Sequence, residues 1–174
     1  MNWTQLLKAE TESAYKTTLR LLDKVDANSL EWKPATGSNW MTVGQLLKHI
    51  SEGCGSGFNG FVTGDWGLPA GKTMADMTPE EMFPPAEKMP TVKSVDEVRR
   101  LLVEDKAAVL LLLDRISEND LANKEIAAPW APDIKLPLGC HLLHMIQHLD
   151  KHMSQLFYYL KLQGKPVNTL DLWG

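Results

Sequence analysis

Apolar residues recur at the spacing of an α-helix in four segments of the chain. The first segment follows Asn2, a favourable N-cap residue, and continues without glycine or proline to Asp26. The second begins after Thr42, and the third begins after Ser94, which is predicted to form a capping box with Glu97. The pattern therefore predicts helices over residues 3–26, from 43 onward, 95–116 and 138–163, the last of which ends before Gly164 and Pro166.

Two stretches weaken or interrupt this pattern. The second helix carries four glycines between residues 53 and 60, and each glycine costs about 1 kcal/mol of helix propensity relative to alanine. Residues 64–91 hold five prolines, which predict a long crossover with one short helical turn that begins at Pro79. No segment alternates in the manner of a strand for long enough to compete with the helices.

The sequence thus predicts an all-α fold, a four-helix bundle in a single domain that spans residues 1–174. The moderate connections predict that the first and second helices are antiparallel neighbours, and likewise the third and fourth. The crossover is long enough to return along the bundle, which leaves the second and third helices parallel. This is an up-down-down-up arrangement.

Charge and composition exclude several classes of protein. The net charge of -4 lacks the basic footprint of a nucleic-acid binder. The longest apolar run, residues 107–113, is too short to cross a bilayer, and the N-terminus does not read as a signal peptide. Two cysteines, Cys54 and Cys140, are too few for a disulfide framework. We therefore expect a cytoplasmic protein without a nucleic-acid or membrane partner.

Four of the five histidines lie on one face of the last predicted helix. His141, His144, His148 and His152 project within about 80° of one another when each residue turns the helix by about 100°. Neighbours four residues apart are separated by about 6 Å along the axis and can chelate one ion, whereas the ends of the stripe are about 16 Å apart. Only adjacent histidines of the stripe can share a metal.

The fifth histidine, His49, lies in the second helix within the apolar stretch LLKHI, so its ring is expected to face the bundle interior. Two histidines one turn apart and a third from a facing helix form a half-open shell that zinc, nickel or iron accepts. The spacing leaves two pairs open, His144 with His148 and His148 with His152. It equally leaves open a structural role for these histidines.

Two stretches carry a family pattern. In HLLHMIQHLDKHMSQLFYYLKLQGKPV, a histidine pair precedes a glutamine, an aromatic-rich turn and an exit with glycine and proline; these are His148, His152, Gln155, Tyr159, Gly164 and Pro166. In LEWKPATGSNWMTVGQLLKHISE, a Trp-x-Pro segment leads into a helix with one histidine; these are Trp32, Pro34 and His49. Both stretches resemble the DinB-like superfamily of metal-binding four-helix bundles. The frequent His-Arg-Gly-Gln of that family reads His152-Met153-Ser154-Gln155 here, so any role of its arginine does not transfer.

The resemblance implies the ligand set His49, His148 and His152 for a divalent metal, with zinc or nickel favoured, and it implies a homodimer. His144 then lies one turn outside the trio, and a packed or interface histidine is a simpler interpretation of it than a pocket residue. His141, near the start of the helix, is expected to be solvated or to act as a cap.

Three neutral imidazoles leave positions open on an ion, which is typical of a catalytic site rather than a structural one. The resemblance implies a metal-dependent transferase, isomerase or hydrolase that acts on a small-molecule substrate together with a low-molecular-weight thiol. Glu52 as a base and Gln155 as a hydrogen-bonding group are the candidate catalytic residues, although Glu52 is more simply a solvated acid. The alternative is a non-catalytic, stress-related dimeric bundle that binds a metal or ligand. The crossover could cover the metal as a lid or pack outside.

Overall fold

A computed structural model describes residues 1–173 of the chain as a mostly helical fold. The four long helices are α1 (Trp3–Leu22), α2 (Val43–Thr63), α4 (Val95–Leu113) and α6 (Leu138–Leu162). Three short helices, α3 (Pro79–Met82), α5 (Glu118–Asn123) and α7 (Leu170–Trp173), and a hairpin of β1 (Glu125–Ala128) and β2 (Ala131–Pro137) complete the fold. The predicted four-helix bundle is confirmed. None of the described helices has the length and hydrophobicity that a bilayer crossing requires.

The helix ends follow local capping chemistry. Asn2 accepts the backbone N–H of Gln5 at 2.9 Å at the start of α1. The predicted capping box at α4 is only half formed: Ser94 accepts the N–H of Glu97 at 3.1 Å, but the Glu97 carboxylate accepts the N–H of Lys93. Both α1 and α4 end a few residues earlier than predicted, because tight i to i+3 hydrogen bonds close their last turns.

Contacts along the bundle establish the helix directions. The N-terminal ends of α2 and α4 meet where the Val92 N–H donates to the Gly44 carbonyl at 3.4 Å, so these helices run parallel. Ion pairs of Lys8 with Asp114 and of Arg99 with Asp23 make α1 antiparallel to α4. The N-terminal ends of α1 and α6 also meet, since a Cβ atom at Gly139 would lie 2.7 Å from the ring of Trp3, so α6 runs parallel to α1. The predicted up-down-down-up order is therefore confirmed.

The neighbour relations within the bundle differ from the sequence prediction. Both α1 and α2 pack most extensively against α4 and α6 rather than against each other. The predictions that α1 and α2 are neighbours, and likewise α4 and α6, were both wrong, because a moderate connection does not force contact when each helix buries its apolar face between two others.

The glycine-rich part of α2 is helical throughout, since neighbouring helices approach its backbone closely. A Cβ atom at Gly55 would lie 2.1 Å from Oδ1 of Asp105 on α4, and one at Gly57 would lie 2.4 Å from Sδ of Met145 on α6. Packing on both sides thus compensates the poor helix propensity of this segment.

The hairpin between α5 and α6 was not predicted from the sequence. It is antiparallel, with Glu125 opposite Pro137 and Ile126 opposite Leu136, and its register shifts after Ala127. β1 has four residues, and prolines at 129, 132 and 137 obscure the alternation of β2. A two-stranded sheet has only edge strands, which tolerate proline. The hairpin leads directly into α6 and covers its first turn.

Candidate metal centre

Three imidazole rings meet between α2 and α6. His49 extends from α2, and His148 and His152 extend from consecutive turns of α6. Each pair of their Nε2 atoms is separated by 3.2 Å. The two segments that the sequence analysis connected therefore come together, and the pair beside His49 is His148 with His152 rather than His144 with His148.

The spacing of these nitrogens fits a metal ion. A tetrahedral zinc ion with Zn–N bonds of about 2.0–2.1 Å holds its nitrogen ligands about 3.3–3.4 Å apart. The measured 3.2 Å is close to this value on all three sides of the triangle. Among residues 1–173, no carboxylate or thiolate joins the cluster. The three-histidine cluster is thus compatible with a divalent ion such as zinc, nickel or iron.

Burial keeps the three rings neutral. Burial, together with the neighbouring His152 and His148, lowers the pKa of His49 to about 4. Burial likewise lowers the pKa of His148 to about 4 and the pKa of His152 below its ordinary value. All three rings are therefore unprotonated at neutral pH, which is the form that a metal requires.

A hydrogen-bonded chain selects the tautomer of His152. The Met41 carbonyl can only accept, so the Tyr159 hydroxyl donates to it at 3.0 Å. The hydroxyl oxygen then accepts from Nε2 of Gln155 at 3.1 Å, which turns Oε1 of Gln155 towards Nδ1 of His152 at 3.0 Å. Nδ1 must carry the proton, and Nε2 of His152 keeps its lone pair for the ion.

Aromatic packing fixes the far end of this chain. Trp32 and Trp40 lie edge-on to the Tyr159 ring, at centroid distances of 5.3 and 6.2 Å. Burial also raises the pKa of Tyr159, so its hydroxyl stays protonated and able to donate. The Trp-x-Pro stretch of the sequence therefore supports the site through Tyr159, although it does not contact the histidine cluster in the described hydrogen bonds.

A cavity of about 850 Å³ opens onto His49 and His148. The helices α2 and α6 form one side of it. The crossover and the hairpin form the other side, with Met82 and Met89 from the crossover and Trp130 and Ile134 from the hairpin. The crossover thus forms a wall of the cavity rather than packing outside it.

The crossover is tied to the first turn of α2, close to His49. The Gln45 side chain donates to the carbonyls of Ala86 at 2.7 Å and Met89 at 2.9 Å, and the Ala86 N–H donates to Oδ1 of Asn39 at 2.8 Å. The sequence analysis did not identify Gln45. Its only sequence signal is its position three residues after the Thr42 cap, where glutamine completes a capping box.

The other two histidines of the α6 stripe differ from their sequence interpretations. His144 is exposed and lines the cavity, so it is not packed in the interior, whereas a place at a dimer interface stays a prediction. His141 is buried: its ring stacks on Phe61 at 4.4 Å, and its Nε2 lies 2.9 Å from the Ile126 carbonyl. The expectation of a solvated or capping His141 was wrong because the hairpin, which was not predicted, covers this turn of α6.

The two candidate catalytic residues lie at different places. Glu52 is exposed at the rim of the cavity and forms an ion pair with Lys48 one turn earlier. Gln155 is hydrogen-bonded to His152, on the side of that ring away from the other two histidines. Glu52 could therefore meet a molecule in the cavity, whereas Gln155 acts through His152.

Trp130 is a cavity residue that the sequence analysis missed. It lies at the hairpin turn and packs edge-on against Phe61 and Trp66, with both centroid distances at 5.8 Å. Phe61 and Trp66 line the same cavity. The tryptophan was overlooked because its contacts depend on a hairpin without a clear sequence signal.

Comparisons with known proteins agree with the fold. A crystal structure of a DinB-like protein, YjoA from Bacillus subtilis, is similar in fold with a TM-score of 0.61 and 19% sequence identity. The similarity covers 91% of this chain and 92% of that one. No curated protein matches the chain. The sequence pattern of the DinB superfamily matches residues 10–156, and the chain belongs to this superfamily.

Proposed function

We propose that the chain is a metal-dependent enzyme that acts on a small molecule. One observation carries this proposal: three Nε2 atoms converge at 3.2 Å from one another beside a cavity of about 850 Å³. Cavities of this size enclose ligands of up to drug-like dimensions. A purely structural metal site has no need of such an opening.

His49, His148 and His152 would hold the ion, for which zinc and nickel are the proposed metals. When bound, a divalent ion in a three-histidine shell acts as a Lewis acid that favours deprotonated water or thiol at neutral pH. Gln155 holds the His152 ring in the required tautomer. The crossover and hairpin would exclude water from one side of a bound substrate, and Glu52, which lines the same cavity, would accept a proton at its rim.

We infer a thiol-dependent transfer or isomerisation, or a hydrolysis, as the reaction class. The half-open ligand shell supports this inference. Three neutral histidines would leave the positive charge of an ion uncompensated, and the ion would then attract an anionic nucleophile. A low-molecular-weight thiol would enter the cavity with the substrate. Thiol, substrate and ion would then meet at the side of the cavity formed by His49 and His148.

Metal content tests the foundation of the proposal. Purified protein supplemented with zinc or nickel should contain about one ion per chain, and His148→Ala should lose it because two ligands hold an ion far more weakly than three. His144→Ala is the matched control, since it removes an imidazole from the same helix face without removing a proposed ligand. Equal metal content in the two variants would refute the ligand assignment.

Turnover is tested separately. Metal-loaded protein should consume low-molecular-weight thiols in the presence of small electrophiles, and metal-stripped protein should not. Glu52→Gln should lower the rate by about 100-fold or more if Glu52 is the base. Stoichiometric metal without turnover of any thiol or hydrolysable substrate would favour the non-catalytic bundle over the enzyme.

A further inference from the structure

The cavity has two chemically different sides. All the lysine, glutamate, serine and histidine side chains that line the cavity come from α2 or α6. They include Ser56, His144 and Lys151. The crossover and hairpin contribute apolar and aromatic side chains, among them Met82, Met89 and Ile134. A molecule that satisfies both sides is amphipathic, with its polar edge on the helices and its apolar body against the opposite wall.

The polar side carries an excess of positive charge. Lys48 and Glu52 neutralise each other in an ion pair. In the described part of the chain, no carboxylate lies within ion-pair distance of Lys151, which is three residues after His148 and lines the same cavity. The three neutral histidines add no negative charge, and a bound ion would make the excess larger. The polar end of the ligand is therefore anionic.

The apolar side is adaptable rather than closely shaped. Methionines from the crossover face the cavity together with Met145 of α6, and unbranched thioethers repack around ligands of different outline. Trp66 and Trp130 add flat aromatic surfaces, at a centroid separation of 5.8 Å from each other. Such a wall accepts an aromatic or branched alkyl body of variable size.

We propose that this cavity binds an anionic amphipathic molecule, whose acidic group faces Lys151 and whose aromatic or alkyl body packs against the methionine-rich wall. The inference rests on the proposed function, because it names the class of substrate that the same site takes. It concerns the chain's own side chains, so it can be tested with and without metal.

A pair of fluorescent probes tests the proposal. 1-Anilinonaphthalene-8-sulfonate and N-phenyl-1-naphthylamine share one aromatic body, but only the first carries an anionic group. Metal-free wild-type protein should bind the sulfonate at least about threefold more tightly than the neutral probe, the size of effect expected for an exposed ion pair. Added salt should reduce that preference. Equal affinities for the two probes would overturn the proposal.

Variants locate the binding. Lys151→Met should remove the preference for the sulfonate and leave the neutral probe unaffected, whereas Lys161→Met, on the same helix outside the cavity, should change neither. Ser56→Trp fills the cavity and should abolish binding of both probes, whereas Ser13→Trp, at an exposed position of α1, should not. Unaltered binding in Lys151→Met or in Ser56→Trp contradicts the proposal.

The metal-free and metal-loaded arms separate this inference from the proposed function. If the protein takes up no metal and shows no turnover after supplementation, sulfonate binding that depends on Lys151 supports the ligand class while the enzyme is refuted. Stoichiometric metal with turnover, but with no preference for the sulfonate in either arm, refutes the ligand class and leaves the enzyme proposal standing.

Discussion

Two polar clusters lie against different faces of α2, and they differ in how completely the protein satisfies them. Towards α1 and α4, the Asp105 carboxylate accepts from the Tyr15 hydroxyl at 2.5 Å and from the Gly55 N–H, which lies 3.1 Å from both carboxylate oxygens. Towards α6, three histidine nitrogens point at one another, and at most one of their lone pairs could be met by a neighbouring N–H.

The difference separates a structural cluster from a ligand site. Buried polar groups normally find partners within the protein, and a group left without one costs about 1–3 kcal/mol. The Asp105 cluster is complete without any external group. The histidine cluster lacks a partner at the point where its Nε2 atoms converge, and an ion would supply that partner.

The largest expected effect comes from adding one methyl group to α2 on the face that packs against the Asp105 cluster. Gly55→Ala places a Cβ 2.1 Å from Oδ1 of Asp105, so it should lower the free energy of unfolding by about 2–4 kcal/mol through overpacking and strained hydrogen bonds. Urea unfolding measures this change. Gly53→Ala is the control, because its Cβ would lie 3.5 Å from Cε1 of His148, an ordinary contact. That variant should be neutral or stabilised by up to about 1 kcal/mol. Similar losses in both variants would show that the two faces of α2 are packed alike.

An intermediate effect is expected on the metal affinity of the histidine cluster. Gln155→Leu removes the acceptor for Nδ1 of His152, so metal affinity should fall about 10- to 100-fold. Gln155→Glu retains an acceptor at that position and should retain most of the affinity. Competition with a chromogenic chelator measures both. The loss of Gln155 should change metal affinity more than it changes stability, and the reverse result would place Gln155 with the structural cluster.

Helical periodicity predicted the parts of this molecule that are determined locally. Apolar spacing and capping residues predicted the four long helices, because these signals act within one or two turns. His49, His148 and His152 could be grouped only through the family resemblance, since spacing alone did not exclude His144.

The parts that were missed depend on contacts between distant segments. The hairpin, the burial of His141 and the role of Gln45 each require two segments that are remote in sequence to meet. Residues 131–137 contain an alternation of Ile134 and Leu136 with charged residues, but three prolines in and around the hairpin outweighed it. The cavity wall opposite the histidines could not be predicted for the same reason.

The smallest effect is the share of the pH dependence of stability that Asp105 contributes. Burial raises the pKa of Asp105 to about 6, above its ordinary value of 3.8, although the Tyr15 and Gly55 hydrogen bonds oppose this rise. The folded chain therefore binds this proton at higher pH than the unfolded chain does. The unfavourable contribution of the ionised carboxylate is fully present above the folded pKa and is relieved as the pH falls through it.

Comparison with Asp105→Asn isolates this contribution, since the amide does not titrate. Between about pH 7 and pH 5, the wild type should gain about 1 kcal/mol of unfolding free energy relative to the variant. Tyr15→Phe removes a hydrogen bond that lowers the pKa of Asp105, so in that background the gain should begin at higher pH. Urea unfolding at several pH values measures both curves. A difference between wild type and Asp105→Asn that stays constant over this range would mean that Asp105 remains ionised in the fold, and that its internal donors fully compensate its burial.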